Sequence, residues 1–555
     1  MDTDPQTDPT AATTVAELLD ARRHDTGVGI AFDDQRWSWE EVMAESERYG
    51  AAIAAAVDDG VRHVGLFLEN SPDYLFSLFG AALAGVTVVG LNTTRRGAEL
   101  VRDIGHTDCA LVLTDTSLEL LMADLDLGGT PVEVVDRQAW RTAVETAPPL
   151  GSDRAVSPDD PLLLIFTSGS TSAPKAVIMS NRRAARAANG SAWFSPDDVL
   201  YCAMPLFHGN ALNAIVFPAL ATGATIALRE RFSASQFIDD LRHYRATFFT
   251  SVGRAVGYVL ATPARPDDKE HSVKYGLAPE SSPADMRAFR RRFGITCIAG
   301  YGSSENAVVF VPAPGMPPEA LGRAQEGIDA AVADPETGAI CAVATFDDQG
   351  RMTNAEAAIG EIVGRNVLDR FEGYYNNPEA NAERSRNGWF CTGDLGYVDG
   401  DGFFYFAGRQ GDWLRVDSEN FATAPIERIL GRFESLAAVA VYAVPDERTA
   451  DDQVMASLEL EEGTSFDPVA FEAFLAGQPD LGPKWSPRYV RLTTVPVGAT
   501  NKIDRRRLQR EGWTVEDPVW WRSGRSTSYL PFTAEDRAAL VASFAQHGRS
   551  PTRAK

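Results

Sequence analysis

A chain of 555 residues is too long for a single hydrophobic core and implies two or more domains. Its hydrophobic content of 44% and charged content of 23% are ordinary for a globular protein. A net charge of −25, from 77 acidic against 52 basic residues, disfavours DNA, RNA and anionic membrane surfaces as partners, although a local basic loop can still take an anionic nucleotide.

The first residues are polar and acidic, without the apolar core of a secretory signal, and residues 1–14 are expected to be unstructured. No run approaches the ~20 apolar residues needed to span a membrane. Residues 64–68 read as a buried strand, and Ser71 with Pro72 supplies the cap and first turn of a helix to Ala84. Strands are expected at 86–91, 110–113, 162–166, 224–228, 247–250 and 295–298. Helices are expected at 181–188, from a Ser233 cap to His243, and before residue 295. This alternation predicts α/β layers with parallel strands. Asp399-Gly400-Asp401-Gly402 is a turn signal, and the domain boundary is placed at 408–412. Beyond it, a helix at 425–433 and strands at 438–443 and 454–459 suggest a small α/β unit. Thr533 and Asp536 mark the start of a last helix over 534–547. The five cysteines lie far apart with no C-x-x-C, so neither a zinc site nor a redox pair is indicated, and free thiols suit a reducing cytoplasm.

The chemistry starts at Thr167-Ser168-Gly169-Ser170-Thr171-Ser172-Ala173-Pro174-Lys175. Small residues let backbone N–H groups close on phosphate oxygens, hydroxyls add donors, and lysine adds a point charge. The spacing is not that of the common nucleoside-triphosphate loop, and alone the stretch also reads as a flexible turn. It is followed in order by Tyr301-Gly302-Ser303-Ser304-Glu305, Gly388-Trp389-Phe390-Cys391-Thr392-Gly393-Asp394, Gly408-Arg409 with Asp412, and Thr500-Asn501-Lys502-Ile503-Asp504-Arg505.

This set resembles the adenylate-forming acyl-CoA synthetase superfamily over about residues 15–515, most of the chain. Within it, Pro205-Leu206-Phe207-His208-Gly209-Asn210, Gly411-Asp412-Trp413-Leu414-Arg415-Val416, Ala424-Pro425-Ile426-Glu427 and Asp452-Gln453-Val454-Met455-Ala456 look like actinobacterial fatty-acid and steroid-side-chain CoA ligases. The resemblance implies a large α/β N-terminal domain of layered sheets with flanking helices over 15–411. A small mobile lid over 412–517, hinged at Asp412, and a tail over 518–555 would follow. It also implies roles. Thr167, Ser168, Gly169, Ser170 and Thr171 would cradle the phosphates of ATP, with Lys175 assisting. Glu305 would hold Mg²⁺, Ser304 would touch the α-phosphate, and Tyr301, with Gly302, would lie against adenine. Asp394 would accept from the ribose hydroxyls, and Arg409 would bond near ribose or phosphate. Lys502 would be the catalytic cation, adding charge where it develops and withdrawing afterwards. Ser418, Glu419 and Asn420 would line the channel for CoA.

The acyl pocket is read from His208, Gly209, Asn210, Gly253 and Gly276; His208 reads equally as a structurally satisfied histidine, and Arg254 as an anion partner or a structural one. Four positions depart from the pattern where glycine is usual: Ser172 in the phosphate loop, Ala176 just after it, which the actinobacterial relatives also tolerate, Ser418 before the glutamate, and Asn306 after Glu305. The expectation is an AMP-forming ligase that adenylates a hydrophobic carboxylic acid and transfers it to CoA. The alternatives are another acceptor, namely nitrite with an aromatic amine or a separate carrier protein, and a non-catalytic nucleotide-binding descendant. Oligomeric state is not legible.

Overall fold

The computed structural model describes residues 12–551 apart from 58–59, 61, 152–154, 168–174, 190–192, 252–254, 280, 282, 299, 318, 349–351, 410–412, 417–418, 448–451, 479–480, 482–483, 498–502, 525 and 548. Two compact units result. The first runs to Ala307 and regains Asp369–Glu383; the second comprises Val308–Leu368 and the chain from Arg384.

Two sheets build the first unit. One is six-stranded, in the order Val132–Val134, Leu111–Thr114, His63–Phe67, Thr87–Gly90, Pro161–Thr167, Lys175–Ser180. All its pairs are parallel except the last. The other is seven-stranded, in the order Thr296–Ile298, Tyr275–Leu277, Phe248–Thr250, Val199–Cys202, Thr225–Leu228, Val28–Phe32, Gln35–Ser38. It too is parallel until its final antiparallel pair. The helix Pro72–Ala84 begins as its sequence requires: Ser71 Oγ accepts from Tyr74 N at 3.2 Å, and Pro72 fills the first turn. Gly85 closes it at φ 60°, in the left-handed region. Nearly every side chain of this helix is buried, because it is covered on all sides. It packs on Trp39–Ala56 so closely that a Cβ on Gly80 would lie 2.5 Å from the Gly50 nitrogen.

Two details of the first unit differ from expectation. The helix ending at His243 starts at Phe237, after Gln236; Ser233 does not cap it. Packing sets that start: the Phe237 ring, 2% exposed, meets the rings of Phe249 and Phe289. A strand not read from the sequence, Lys175–Ser180, pairs antiparallel with Pro161–Thr167 and leads into helix Asn181–Asn189.

In the second unit, Ala330–Ala333, Gly360–Gly364, Trp389–Val398 and Phe404–Arg409 form an antiparallel sheet. Its turn is the expected one: Asp399 Oδ1 accepts from Asp401 N at 3.0 Å and Phe403 N at 2.9 Å. Further on, Leu436–Pro445, Asp452–Leu460, Tyr489–Leu492, Val519–Trp521 and Leu530–Pro531 make a five-stranded sheet. Alternate residues of its first strand serve two cores. Val441 and Ala443 join Ile426 and Leu430 of helix Thr423–Leu430; Tyr442 and Val444 join Leu540 and Phe544 of helix Ala534–Gln546. The last helix is started by a reciprocal cap between Thr533 and Asp536. The expected hinge, Asp412, lies outside the described residues. Among the described residues no helix is long and apolar enough to cross a membrane.

Gly80→Ala should destabilise the protein by about 1–3 kcal/mol in denaturant unfolding, since two helix backbones must separate; unchanged stability would contradict the close crossing. All five cysteines are free, and burial pushes the thiols of Cys109, Cys202 and Cys297 up to about 12 and Cys341 up to about 11. A disulfide-exchange reagent at neutral pH should therefore label these four only slowly before denaturation; fast labelling of the native protein would contradict this burial.

Candidate active site

Four side chains of the first unit form one connected group. Thr167 ends its strand opposite Lys175, and its hydroxyl donates to the Lys175 carbonyl at 3.4 Å. Lys175 is only 6% exposed. A buried ammonium needs compensation, and it has two kinds: Nζ donates to Glu383 Oε2 at 3.1 Å and lies 5.7 Å from the Tyr374 ring centroid. Both partners come from Asp369–Glu383. That segment docks along the strand Lys175–Ser180, with Ile178 N donating to Gly373 O at 3.0 Å and Tyr375 N to Ala176 O at 2.8 Å. Asn381 clamps the Tyr374 backbone from both sides, at 2.7 and 3.2 Å.

The Tyr374 hydroxyl donates to Glu305 Oε1, joining the lysine's surroundings to the expected metal carboxylate. Glu305 is 5% exposed. Next to it, the guanidinium of Arg183 donates to the Ser304 carbonyl and, at 3.1 Å, to Ile178 O. Burial pushes Arg183 below its ordinary value, opposed by the charges of Glu372 and Glu305. Glu372 in turn accepts from Ser180 N at 2.7 Å and from the Ser180 hydroxyl. Asn306 adopts φ 52°, which asparagine tolerates better than most residues; this accounts for its standing where glycine is usual. Tyr301–Gly302 is a two-residue strand with Tyr301 half-buried.

The turn at His208 approaches the same place. His208 is half-buried, with its N donating to Pro205 O at 3.0 Å. A Cβ on Gly209 would lie 3.9 Å from Ser304 Oγ, 3.7 Å from Ile165 Cδ1 and 3.6 Å from Asn213 Nδ2. Asn210 Oδ1 accepts from Thr250 Oγ1 at 2.8 Å, tying the turn to strand Phe248–Thr250. Gly276 has a packing reason to be glycine: a Cβ there would stand 2.2 Å from the Phe249 ring. Ser168, Gly169, Ser170, Thr171, Ser172 and Gly253 lie outside the described residues.

In the second unit, Asp394 is 8% exposed and stands in register with Arg409 across two antiparallel strands. Its backbone N donates to Thr392 Oγ1 at 3.0 Å, and Thr392 Oγ1 donates to Ile362 O at 2.7 Å. Gly393 between them has φ 72°, and a Cβ there would meet Arg384 Nη1 at 2.4 Å, so a side chain would strain the backbone and displace the guanidinium. Lys502 and Ser418 lie outside the described residues. Just past Lys502, Ile503 pairs with Val497, Asp504 caps Arg507 N at 3.0 Å, and Arg505 meets Glu427 at 2.7 Å. Glu419 and Asn420 belong to strand Glu419–Ala422, opposite Val416 and Arg415.

Sequence reasoning missed Tyr374, Glu383, Arg183 and Glu372. Tyr374 and Glu305 are separated by 69 positions and Lys175 and Glu383 by 208. No local spacing signals either pair; the run Gly373-Tyr374-Tyr375-Asn376-Asn377-Pro378 reads only as a turn.

A family described as AMP-binding enzyme matches residues 19–375. Steroid-22-oyl-CoA synthetase of Rhodococcus jostii RHA1 is 46% identical over 547 residues, covering 97% of this chain and 98% of that protein. The medium/long-chain-fatty-acid–CoA ligase FadD17 of Mycobacterium tuberculosis is 42% identical, covering 91% and 98%. Among solved structures, ATP-bound MatB from Rhodopseudomonas palustris superposes with a TM-score of 0.77 at 24% identity, covering 90% of this chain and 98% of that one. A benzoate CoA ligase from Burkholderia xenovorans LB400 gives 0.77 at 19% identity, covering 89% and 99%, so the fold is shared. The chain belongs to the AMP-binding enzyme family.

Proposed function

We propose that the protein is an ATP-dependent, AMP-forming ligase that adenylates a hydrophobic carboxylic acid and transfers the acyl group to CoA. The observation that carries this reading is the buried run Lys175–Tyr374–Glu305, a phosphate-type cation linked through a tyrosine to a carboxylate. The hydrophobic acid and the CoA acceptor are supported by the names of the relatives at 46% and 42% identity.

A carboxylate oxygen attacks the α-phosphorus, the bond to pyrophosphate breaks, and an acyl-adenylate forms. Lys175 and the hydroxyls from Thr167 to Thr171 offset phosphate charge. Glu305 suits Mg²⁺, which takes one or two protein carboxylates and completes its shell with water and phosphate oxygens; bound there, the ion would neutralise the departing charge. Tyr301 and Gly302 would flank adenine, Asp394 would accept from the ribose hydroxyls, and Arg409 would assist. Lys502 would bridge carboxylate and α-phosphate. With Asp412 as hinge, the lid would then withdraw Lys502 and bring Ser418, Glu419 and Asn420 to the CoA thiol, which attacks the acyl carbon and releases AMP. The free thiols suit a cytoplasmic site of action.

With ATP, Mg²⁺, CoA and pooled fatty, steroid and aromatic acids, mass spectrometry should find acyl-CoA, AMP and pyrophosphate; a CoA-independent, nitrite-dependent diazo product would contradict the acceptor. Lys502→Ala should abolish adenylate formation yet retain thioester formation from supplied acyl-adenylate, and retention of both half-reactions would remove its role. Tyr374→Phe should raise the Mg²⁺ needed for half-maximal adenylation by about 10- to 100-fold, because it removes the group that orients Glu305; an unchanged Mg²⁺ titration would show the contact to be incidental.

A further inference from the structure

Helix Thr423–Leu430 follows the expected hinge, Asp412, in sequence and is part of the core beyond it. Its Ile426 and Leu430 pack with Val441 and Phe471. Its Glu427 accepts from Val441 N at 2.7 Å and grips Arg505 Nη2 at 2.7 and 2.9 Å. Arg428, the next residue, reaches elsewhere. Its Nη1 donates to Tyr397 Oη at 3.1 Å and stands 3.7 Å from Glu319 Oε2, and its guanidinium carbon lies 5.8 Å from the Tyr397 ring centroid. Tyr397 and Glu319 both precede the expected hinge, and all three residues belong to the second unit.

Both ends of this contact are held firmly. The Tyr397 ring stacks on Tyr405, with centroids 4.7 Å apart and planes 6° from parallel, inside a buried cluster with Leu395, Phe403 and Ala407. Beside Glu319, Ala320 is buried in the same cluster, and Leu321 N donates to Phe404 O at 2.7 Å. The backbone of Arg428 moves only with the lid core, and that of Tyr397 only with its sheet. The contact therefore belongs to one orientation of the two. A rotation about Asp412 that withdraws Lys502 would carry Arg428 away from Tyr397. The contact is also weak enough to break in every turnover, because the charged pair is partly exposed, at 37% and 55%.

We propose that Arg428 is a latch, holding the lid through Tyr397 and Glu319 in one of its two orientations, and that its release is part of the passage between adenylation and thioester formation. This rests on the ligase reading and adds a control on the movement of its lid. Arg428 is a positioning residue, acting through the lid that carries Lys502. Two orientations of similar free energy exchange population when a contact made in only one of them is lost. Loss of the latch then favours the half-reaction of the other orientation at the expense of this one.

The test uses the full chain and three variants. Arg428→Met keeps the length and removes the charge, Tyr397→Phe keeps the ring stack and removes the acceptor, and the third carries both. Acid-dependent exchange of pyrophosphate into ATP reads adenylation, and acyl-CoA formed from supplied acyl-adenylate reads the second half-reaction. One half-reaction should speed up and the other slow down. The ratio of the two rates should change by at least about threefold in Arg428→Met and about twofold, in the same direction, in Tyr397→Phe. The double variant should shift it no further than Arg428→Met alone. Thermal melts show which variants fold, and Tyr397→Phe decides the matter if Arg428→Met does not. A ratio unchanged in a folded variant, both rates moving together, or opposite shifts in the two single variants would overturn the latch and leave the ligase reading standing. A wild type that performs neither half-reaction with any acid of the pooled set would overturn the ligase reading itself and the latch with it.

Discussion

Lys175 is a cation at 6% exposure, placed at the start of the antiparallel strand that closes the six-stranded sheet. A charge so deep has to be matched by a carboxylate or a polarisable face. Glu383 and Tyr374 meet that need, and both come from a segment that leaves the first unit's sequence and returns more than 60 residues later. The requirement to accommodate one lysine therefore fixes where Asp369–Glu383 docks. Docking of that segment places the Tyr374 hydroxyl on Glu305 and Glu372 on Ser180. Lys175, Tyr374 and Glu305 thus form one connected unit through a cation–ring contact and a hydrogen bond. Such preorganisation is what the proposed phosphoryl chemistry would use.

Backbone conformation imposes a second constraint. Gly393 combines a left-handed φ with the close approach of the Arg384 guanidinium, so glycine is favoured there. Asn306, after Glu305, occupies the same region of backbone space with a side chain that tolerates it. The two expected ligand carboxylates, Glu305 and Asp394, are each adjoined by such a residue. Glu305 lies in a turn and Asp394 within the strand Trp389–Val398, so the same backbone device serves two different settings.

Much of the frame was legible because it is local. The apolar runs at 64–68 and 86–91, the Ser71-Pro72 start and the Thr533–Asp536 cap are short-range signals, and each falls on the element expected. The order of motifs named the family for the same reason. What escaped is long-range. Lys175–Ser180 is the exception, a strand paired with its immediate predecessor Pro161–Thr167 that its short sequence did not signal. Ser233 lost the cap because Phe237 is drawn into an aromatic cluster with Phe249 and Phe289. Tyr374 and Arg183 carry no motif of their own, and only folding sets them beside Glu305 and Ser304. Asn210, chosen from the motif, is structurally engaged by Thr250.

The central claim is that the acid's own oxygen attacks the α-phosphorus of ATP. Its most direct test supplies an acid labelled with ¹⁸O in the carboxylate, together with ATP, Mg²⁺ and CoA, and follows the label by mass spectrometry. The account predicts transfer of one labelled oxygen to AMP, with unlabelled pyrophosphate. Label in inorganic phosphate, with ADP as the nucleotide product, would place the attack on the terminal phosphorus and contradict it.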